Sequence, residues 1–173
     1  MSSRLDSVTL GFLLLIAVPA LPCTCVSAKG SNARTAMADV TVVFRGTVVQ
    51  RKTLPQRVEM SGRGRYAITF RVDEFWKGSV GRNVNVYVVD SGTDCLGDGS
   101  YEAGKNYLVY ADEVDVRDVF LDGKFFWYGW TDVLPKGTKM LVPEIGCSPG
   151  GETSSVKKAI RELGKARMPA KTD

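Results

Sequence analysis

Alternation of apolar and polar residues dominates the chain between positions 40 and 111. Val40, Val42, Phe44, Gly46 and Val48 fall on one face of an extended segment, with Thr41, Arg45 and Thr47 among the residues on the other. Tyr66, Ile68, Phe70 and Val72 repeat the pattern opposite Ala67, Thr69, Arg71 and Asp73. Period two over eight or more residues predicts half-buried antiparallel strands. Val84, Val86 and Val88 predict a third strand, Tyr107, Val109 and Ala111 a fourth, and Phe125 to Thr131 a fifth. Helical spacing appears near the end, where Val156, Ile160 and Leu163 form one stripe and Lys157, Lys158, Arg161 and Lys165 the remaining face. Thr153 or Ser154 would cap that surface helix, and Gly164 with Pro169 would end it. A short helix is predicted over Ala33 to Ala38, ending near Asp39. Five strands and a C-terminal helix suit a small closed Greek-key barrel.

The connections Gln50 to Gly64 and Ser91 to Lys105 are long and polar, and loops of that length in a compact domain are more often functional than idle. The tail from Ala166 is expected to fray. Phe125-Phe126-Trp127-Tyr128-Gly129-Trp130 is aromatic on both faces of its predicted strand. That fits a contact surface, or a barrel strand covered by the C-terminal helix.

The N-terminus changes the picture from a fold to a compartment. Arg4 precedes an apolar run from Val8 to Val18, and Val18-Pro19-Ala20 has small residues at signal-peptidase spacing, so residues 1–20 read as a signal peptide. The run reaches only to Leu21 with Pro19 inside it, short of the roughly 20 residues a spanning helix needs. Residues 21–173 are then one domain, since the remaining length supports a single core. Export places Cys23, Cys25, Cys95 and Cys147 where an even cysteine count means disulfides. The chain has no histidine and no paired C-x-x-C spacing, which argues against structural zinc. An extended C-x-C separates its alpha carbons by about 7 Å, at the edge of disulfide geometry, so Cys23 and Cys25 should each reach a distant partner. Two pairings remain open. Either closes loops of roughly 70 to 120 residues, worth about 4 to 5 kcal/mol per bridge in the chain-entropy model.

Charge is uneven. Residues 29–71 hold nine Lys or Arg against two acids, residues 73–122 four against eleven, and residues 123–173 nine against five. The basic block, with Arg51, Lys52, Arg57, Arg63 and Arg65, suits an anionic polysaccharide or an acidic partner, or is simply solvated. Single-stranded nucleic acid is disfavoured: Tyr66 and Phe70 belong to the core face by alternation, and export removes the usual ligand. Asp112, Glu113, Asp115 and Asp118 lack the loop glycine and closing glutamate of a calcium loop. With no histidine, no G-x-S-x-G and no phosphate-binding loop, the chain does not read as an enzyme, and no cofactor is expected.

An ordered set of motifs carries a resemblance. Cys23-Thr24-Cys25-Val26, Thr35-Ala36-Met37-Ala38-Asp39, Val43-Phe44-Arg45-Gly46, Phe75-Trp76-Lys77-Gly78, Asp94-Cys95 and Gly104-Lys105-Asn106-Tyr107-Leu108-Val109-Tyr110-Ala111 resemble the N-terminal domain of tissue inhibitors of metalloproteinases and the related netrin-type modules. The likeness covers essentially all of the chain after the signal peptide. It implies a mainly β, five-stranded OB-type barrel with a C-terminal helix and a short N-terminal helix, bridged Cys23 to Cys95 and Cys25 to Cys147. In the animal inhibitors the first cysteine's amine and carbonyl chelate the protease zinc and displace the water it would activate. Carried over, Cys23 would chelate, Thr24 would enter the specificity pocket, and Cys25, Val26, Thr93, Asp94 and Leu96 would complete the inhibitory ridge. The partner implied is a zinc metalloprotease. The alternative is a netrin-type interaction module that binds a protein or an anionic polysaccharide.

Three departures accompany the resemblance. No cysteine near Ala38 supplies the inhibitors' third bridge, and Leu96 follows Cys95 where they usually carry glycine. Cleavage after Ala20 leaves Leu21-Pro22 ahead of Cys23. That converts the chelating amine into an amide, whose nitrogen offers no lone pair to a metal.

Overall fold

The computed structural model describes residues 32–55, 64–89, 101–116, 119–122, 125–128, 130–131, 133–144 and 149–170. The strands are β1 (Val42–Leu54), β2 (Arg65–Lys77), β3 (Asn83–Val89), β4 (Asn106–Asp115), β5 (Val119–Asp122), β6 (Phe125–Tyr128), β7 (Lys139–Pro143) and β8 (Gly151–Glu152). The helices are α1 (Ala33–Asp39) and α2 (Lys157–Leu163). Strands β1, β2, β3, β7 and β4 follow one another in that order, and β4 pairs back onto β1, closing a five-stranded barrel. Every barrel pairing is antiparallel except β3 with β7, which run parallel and meet at Val86 and Leu141. The molecule is mainly β, and among the described residues no helix is long and apolar enough to cross a membrane.

The alternating residues fill the barrel. Val42, Phe44, Val48, Ile68, Phe70, Val72, Val86, Val88, Tyr107, Val109 and Ala111 form one buried cluster. At its centre the Phe70 ring meets Phe44 edge-on at 5.4 Å and Tyr101 at 5.2 Å, the arrangement that ring quadrupoles favour. Strict alternation in β2 stops at Val72, and the next buried residue is Phe75. A bulge explains the skip: Arg45 pairs with Glu74 and Gly46 with Val72, so Asp73 is the extra residue and Phe75 returns to the interior. Gly46 permits the close approach there, since a Cβ on it would lie 2.8 Å from the Arg71 carbonyl oxygen.

A second cluster covers the outside of the barrel over β1 and β4. Val43, Leu108 and Tyr110 pack against Ala33, Ala36, Ala159 and Leu163 of the two helices. Helix α1 matches its expected span, and Asn32 caps it by accepting from the Arg34 and Thr35 backbone N–H groups, both at 3.0 Å. Helix α2 starts differently from expectation. Its N-cap is Val156, without a side-chain cap, because Thr153 donates to Asn106 Oδ1 and Ser154 to Glu152 Oε1. Gly164 ends it at φ 77°, as predicted. Beyond it, Arg167 and Phe75 exchange both backbone hydrogen bonds at 2.8 Å, so the stretch expected to fray is held at that point.

Two strand assignments need correction. The fifth barrel strand is β7, not the aromatic run at Phe125 to Thr131. Its Phe125–Tyr128 part, β6, pairs with β5 in a separate two-stranded sheet. A barrel strand beneath the C-terminal helix is therefore not the explanation of that run, because α2 packs over β1 and β4. Residues Gln50–Leu54, expected as loop, continue β1 and pair with β2 from Thr69 to Arg65. Their side chains are largely exposed, which removes the apolar alternation that marks a half-buried strand.

Candidate functional site

The ridge predicted from sequence, Cys23, Thr24, Cys25, Val26, Thr93, Asp94 and Leu96, lies outside the described residues, as do Cys95 and Cys147 and hence both bridges. Residues 1–20, expected to be a signal peptide, also lie outside. What the structure describes is the framework into which those segments run.

One part of the framework is the first turn of α1. The Ala33 N–H donates to Glu162 Oε2 at 3.1 Å, and Arg34 Nε donates to the Glu162 carbonyl oxygen at 2.6 Å. The Tyr110 hydroxyl, buried beneath, donates to the Ala33 carbonyl oxygen at 3.2 Å. Burial raises the Tyr110 pKa, and nearby Glu162 and Glu144 add to the shift. The hydroxyl therefore stays protonated and keeps donating. Helix α2 and strand β4 thus fix the place where the chain from the cysteine pair enters the fold. Beside it opens a groove of about 450 Å³ lined by Asn32, Ala33, Pro149, Ser155, Val156, Lys158, Ala159 and Glu162.

A second part lies where the predicted ridge loop returns to the barrel. Tyr101 inserts against Phe70 and packs edge-on against Tyr107 at 5.0 Å. The Glu102 N–H donates to the Tyr107 hydroxyl oxygen at 3.0 Å. Gly104 and Lys105 then exchange backbone bonds with Val48, so the segment behind the ridge loop is tied to β1. Expected simply as the polar end of a long loop, Tyr101 is partly buried and packs against the core.

A third part is acidic. Asp112 Oδ1 accepts from the Thr41 N–H and the Thr41 hydroxyl, both at 3.0 Å. Half-buried Glu144 stands near Asp112 and Asp39, and burial first, then those two carboxylates, raise its pKa. Of the other acids weighed for calcium, Glu113 and Asp115 both face Lys139, Asp115 at 2.7 Å, and Asp118 lies outside the described residues.

The basic residues divide. Lys52 is exposed on β1, and Arg51 places its guanidinium 4.0 Å from the Tyr66 ring centroid. Arg57 and Arg63 lie outside the described residues. Arg65 corrects the sequence reading: it is 0% exposed and cannot meet a polysaccharide. Its guanidinium donates to the Pro55 carbonyl oxygen and sits 5.3 Å from the Trp130 ring, a desolvated cation held by a carbonyl and a π face. Alternation placed the strand correctly, but a cation in a basic block gives no sign that an aromatic residue 65 positions later will cover it.

Glu162, which joins the two helices, was missed because it reads as one more charge on a solvated helix face. No protein-family model matches the chain, and a search of curated proteins finds no match.

Proposed function

We propose that the chain is a secreted inhibitor of zinc metalloendopeptidases, similar to the tissue inhibitors of metalloproteinases. In this reading the Cys23 amine and carbonyl chelate the protease zinc, while Thr24 enters the specificity pocket. The observation that supports it is a convergence. Asn32, seven residues after Cys25, and Pro149, two after Cys147, line the same groove. Seven extended residues span at most about 25 Å, so a Cys25 to Cys147 bridge is within chain reach of that groove. A Cys23 to Cys95 bridge would join the same terminus to the loop that returns at Tyr101. The closed five-stranded barrel supports the OB-type architecture that the resemblance implies. Two bridges would hold the chelating terminus in place before binding, which lowers the ordering cost of association.

The mechanism requires removal of Leu21-Pro22, so that Cys23 is the first residue. Protein that starts at Cys23 is expected to inhibit a zinc metalloendopeptidase in a peptide-cleavage assay. Adding one alanine ahead of Cys23 is expected to weaken inhibition about 100-fold or more, about 2.7 kcal/mol, because an amide nitrogen cannot ligate the metal. Equal inhibition by the two forms would refute the mechanism.

One observation favours the second reading, a netrin-type module that binds an anionic polysaccharide. Arg51 and Lys52 lie on the exposed extension of β1. Binding to heparin that falls steeply with salt and ignores the N-terminal residue would support that reading over inhibition.

A further inference from the structure

The parallel pair in the barrel wall is joined at one residue pair, Val86 with Leu141. Before that pair, the starts of β3 and β7 separate around a cleft of about 270 Å³ lined by Asn83, Val84, Asn85, Tyr87, Glu113, Lys139, Met140 and Leu141. The cleft is distinct from the groove between the helices and shares no lining residue with it.

Its polar groups are partly engaged. Asn83, Asn85 and Tyr87 alternate on one face of β3, so Asn83 and Asn85 stand about 7 Å apart. The Thr69 hydroxyl donates to Asn85 Oδ1 at 2.8 Å, which holds the amide and leaves its Nδ2 hydrogens without a partner among the described residues. The Asn83 amide and the Tyr87 hydroxyl make no hydrogen bond with the described residues. The Tyr87 ring is itself held, edge-on to Trp130 at 5.7 Å. Across the cleft Lys139 sits 2.7 Å from Asp115 and 4.0 Å from Glu113. Val84, Met140 and Leu141 supply apolar surface.

We propose that this cleft between β3 and β7 binds one ring of a neutral oligosaccharide. The chemistry narrows the ligand class. Two amides and a phenol, beside the Lys139–Glu113 ion pair, offer both donors and acceptors, which suits the neighbouring hydroxyl groups of a sugar ring. Among the lining residues Glu113 offsets Lys139, so the lining carries no net charge with which to select a polyanion. The volume of about 270 Å³ lies just below the range of ligand sites, which begins at about 300 Å³, and so favours a single ring over a larger ligand.

The test is a titration of the full secreted chain with maltotetraose, cellotetraose and chitotetraose, each to about 10 mM, a range that reveals millimolar binding. The side-chain amide NMR signals of Asn83 and Asn85 report on the cleft, with a heparin tetrasaccharide as the charged comparison. At least one neutral tetrasaccharide should shift both amides saturably. Asn83→Ala and Tyr87→Phe should each weaken that binding about 10-fold, and Tyr87→Phe keeps the ring against Trp130. Silence from all three neutral sugars, a response to heparin alone, or binding unchanged in both variants overturns the proposal. None of these outcomes depends on the N-terminal residue, so this test and that of protease inhibition fail separately.

Discussion

At the scale of single residues, two positions make predictions that sequence patterning could not. Gly46 reads as one place in an alternating strand, yet its missing Cβ is what lets β1 lie against the Arg71 carbonyl. Gly46→Ala forces backbone to move and is expected to cost about 1 to 3 kcal/mol, read as a lowered midpoint in urea unfolding. A wild-type midpoint would mean that the strands can separate there freely. Glu144 predicts a pH effect. Its folded-state pKa is raised by burial and by Asp112 and Asp39, so the folded protein holds this proton more tightly than the unfolded chain does. Stability then falls as pH rises from the ordinary carboxylate range through the raised value. Glu144→Gln removes the penalty, so its melting temperature relative to wild type should increase between about pH 4 and pH 7. A difference that stays constant with pH would contradict the assignment.

At the scale of elements, legibility followed periodicity. The first four barrel strands announced themselves through an inward face that repeats every second residue, although Leu108 and Tyr110 of β4 are buried on the outward face as well, and α2 announced itself through its single apolar stripe. Strand β7 did not, since Met140, Leu141, Val142 and Pro143 are all buried and a short continuous apolar run has no period. The aromatic run at Phe125 drew the assignment instead, being the stronger local signal. Polar ties between elements were equally hidden. Asn106 Nδ2 donates to Thr47 Oγ1 at 3.0 Å and to Asp73 Oδ2 at 2.6 Å, while its Oδ1 accepts from Thr153 at 2.6 Å. One amide thus joins β4 to β1, to the bulge of β2 and to the turn before α2. Asn106→Leu strands partly buried partners and is expected to cost about 1 to 3 kcal/mol in thermal or urea unfolding. A cost near zero would show that water replaces the network.

At the scale of the whole molecule, the barrel brings the two helices over β1 and β4 and sets Asn32 and Pro149 on one groove. The proposed inhibitory residues themselves were legible only through resemblance. A chelating terminus has no periodicity, no burial pattern and no side-chain chemistry of its own, since its ligands are a backbone amine and a backbone carbonyl. Arg65 shows the converse limit, a charge that the sequence offers to a partner and the fold uses internally. The proposed inhibition therefore turns on one covalent fact. Intact mass with N-terminal sequencing of the protein recovered from its native secretion route measures it directly. Zinc chelation requires a chain that begins at Cys23, with its amine unblocked; a chain that begins at Leu21 would contradict it and leave an interaction module in its place.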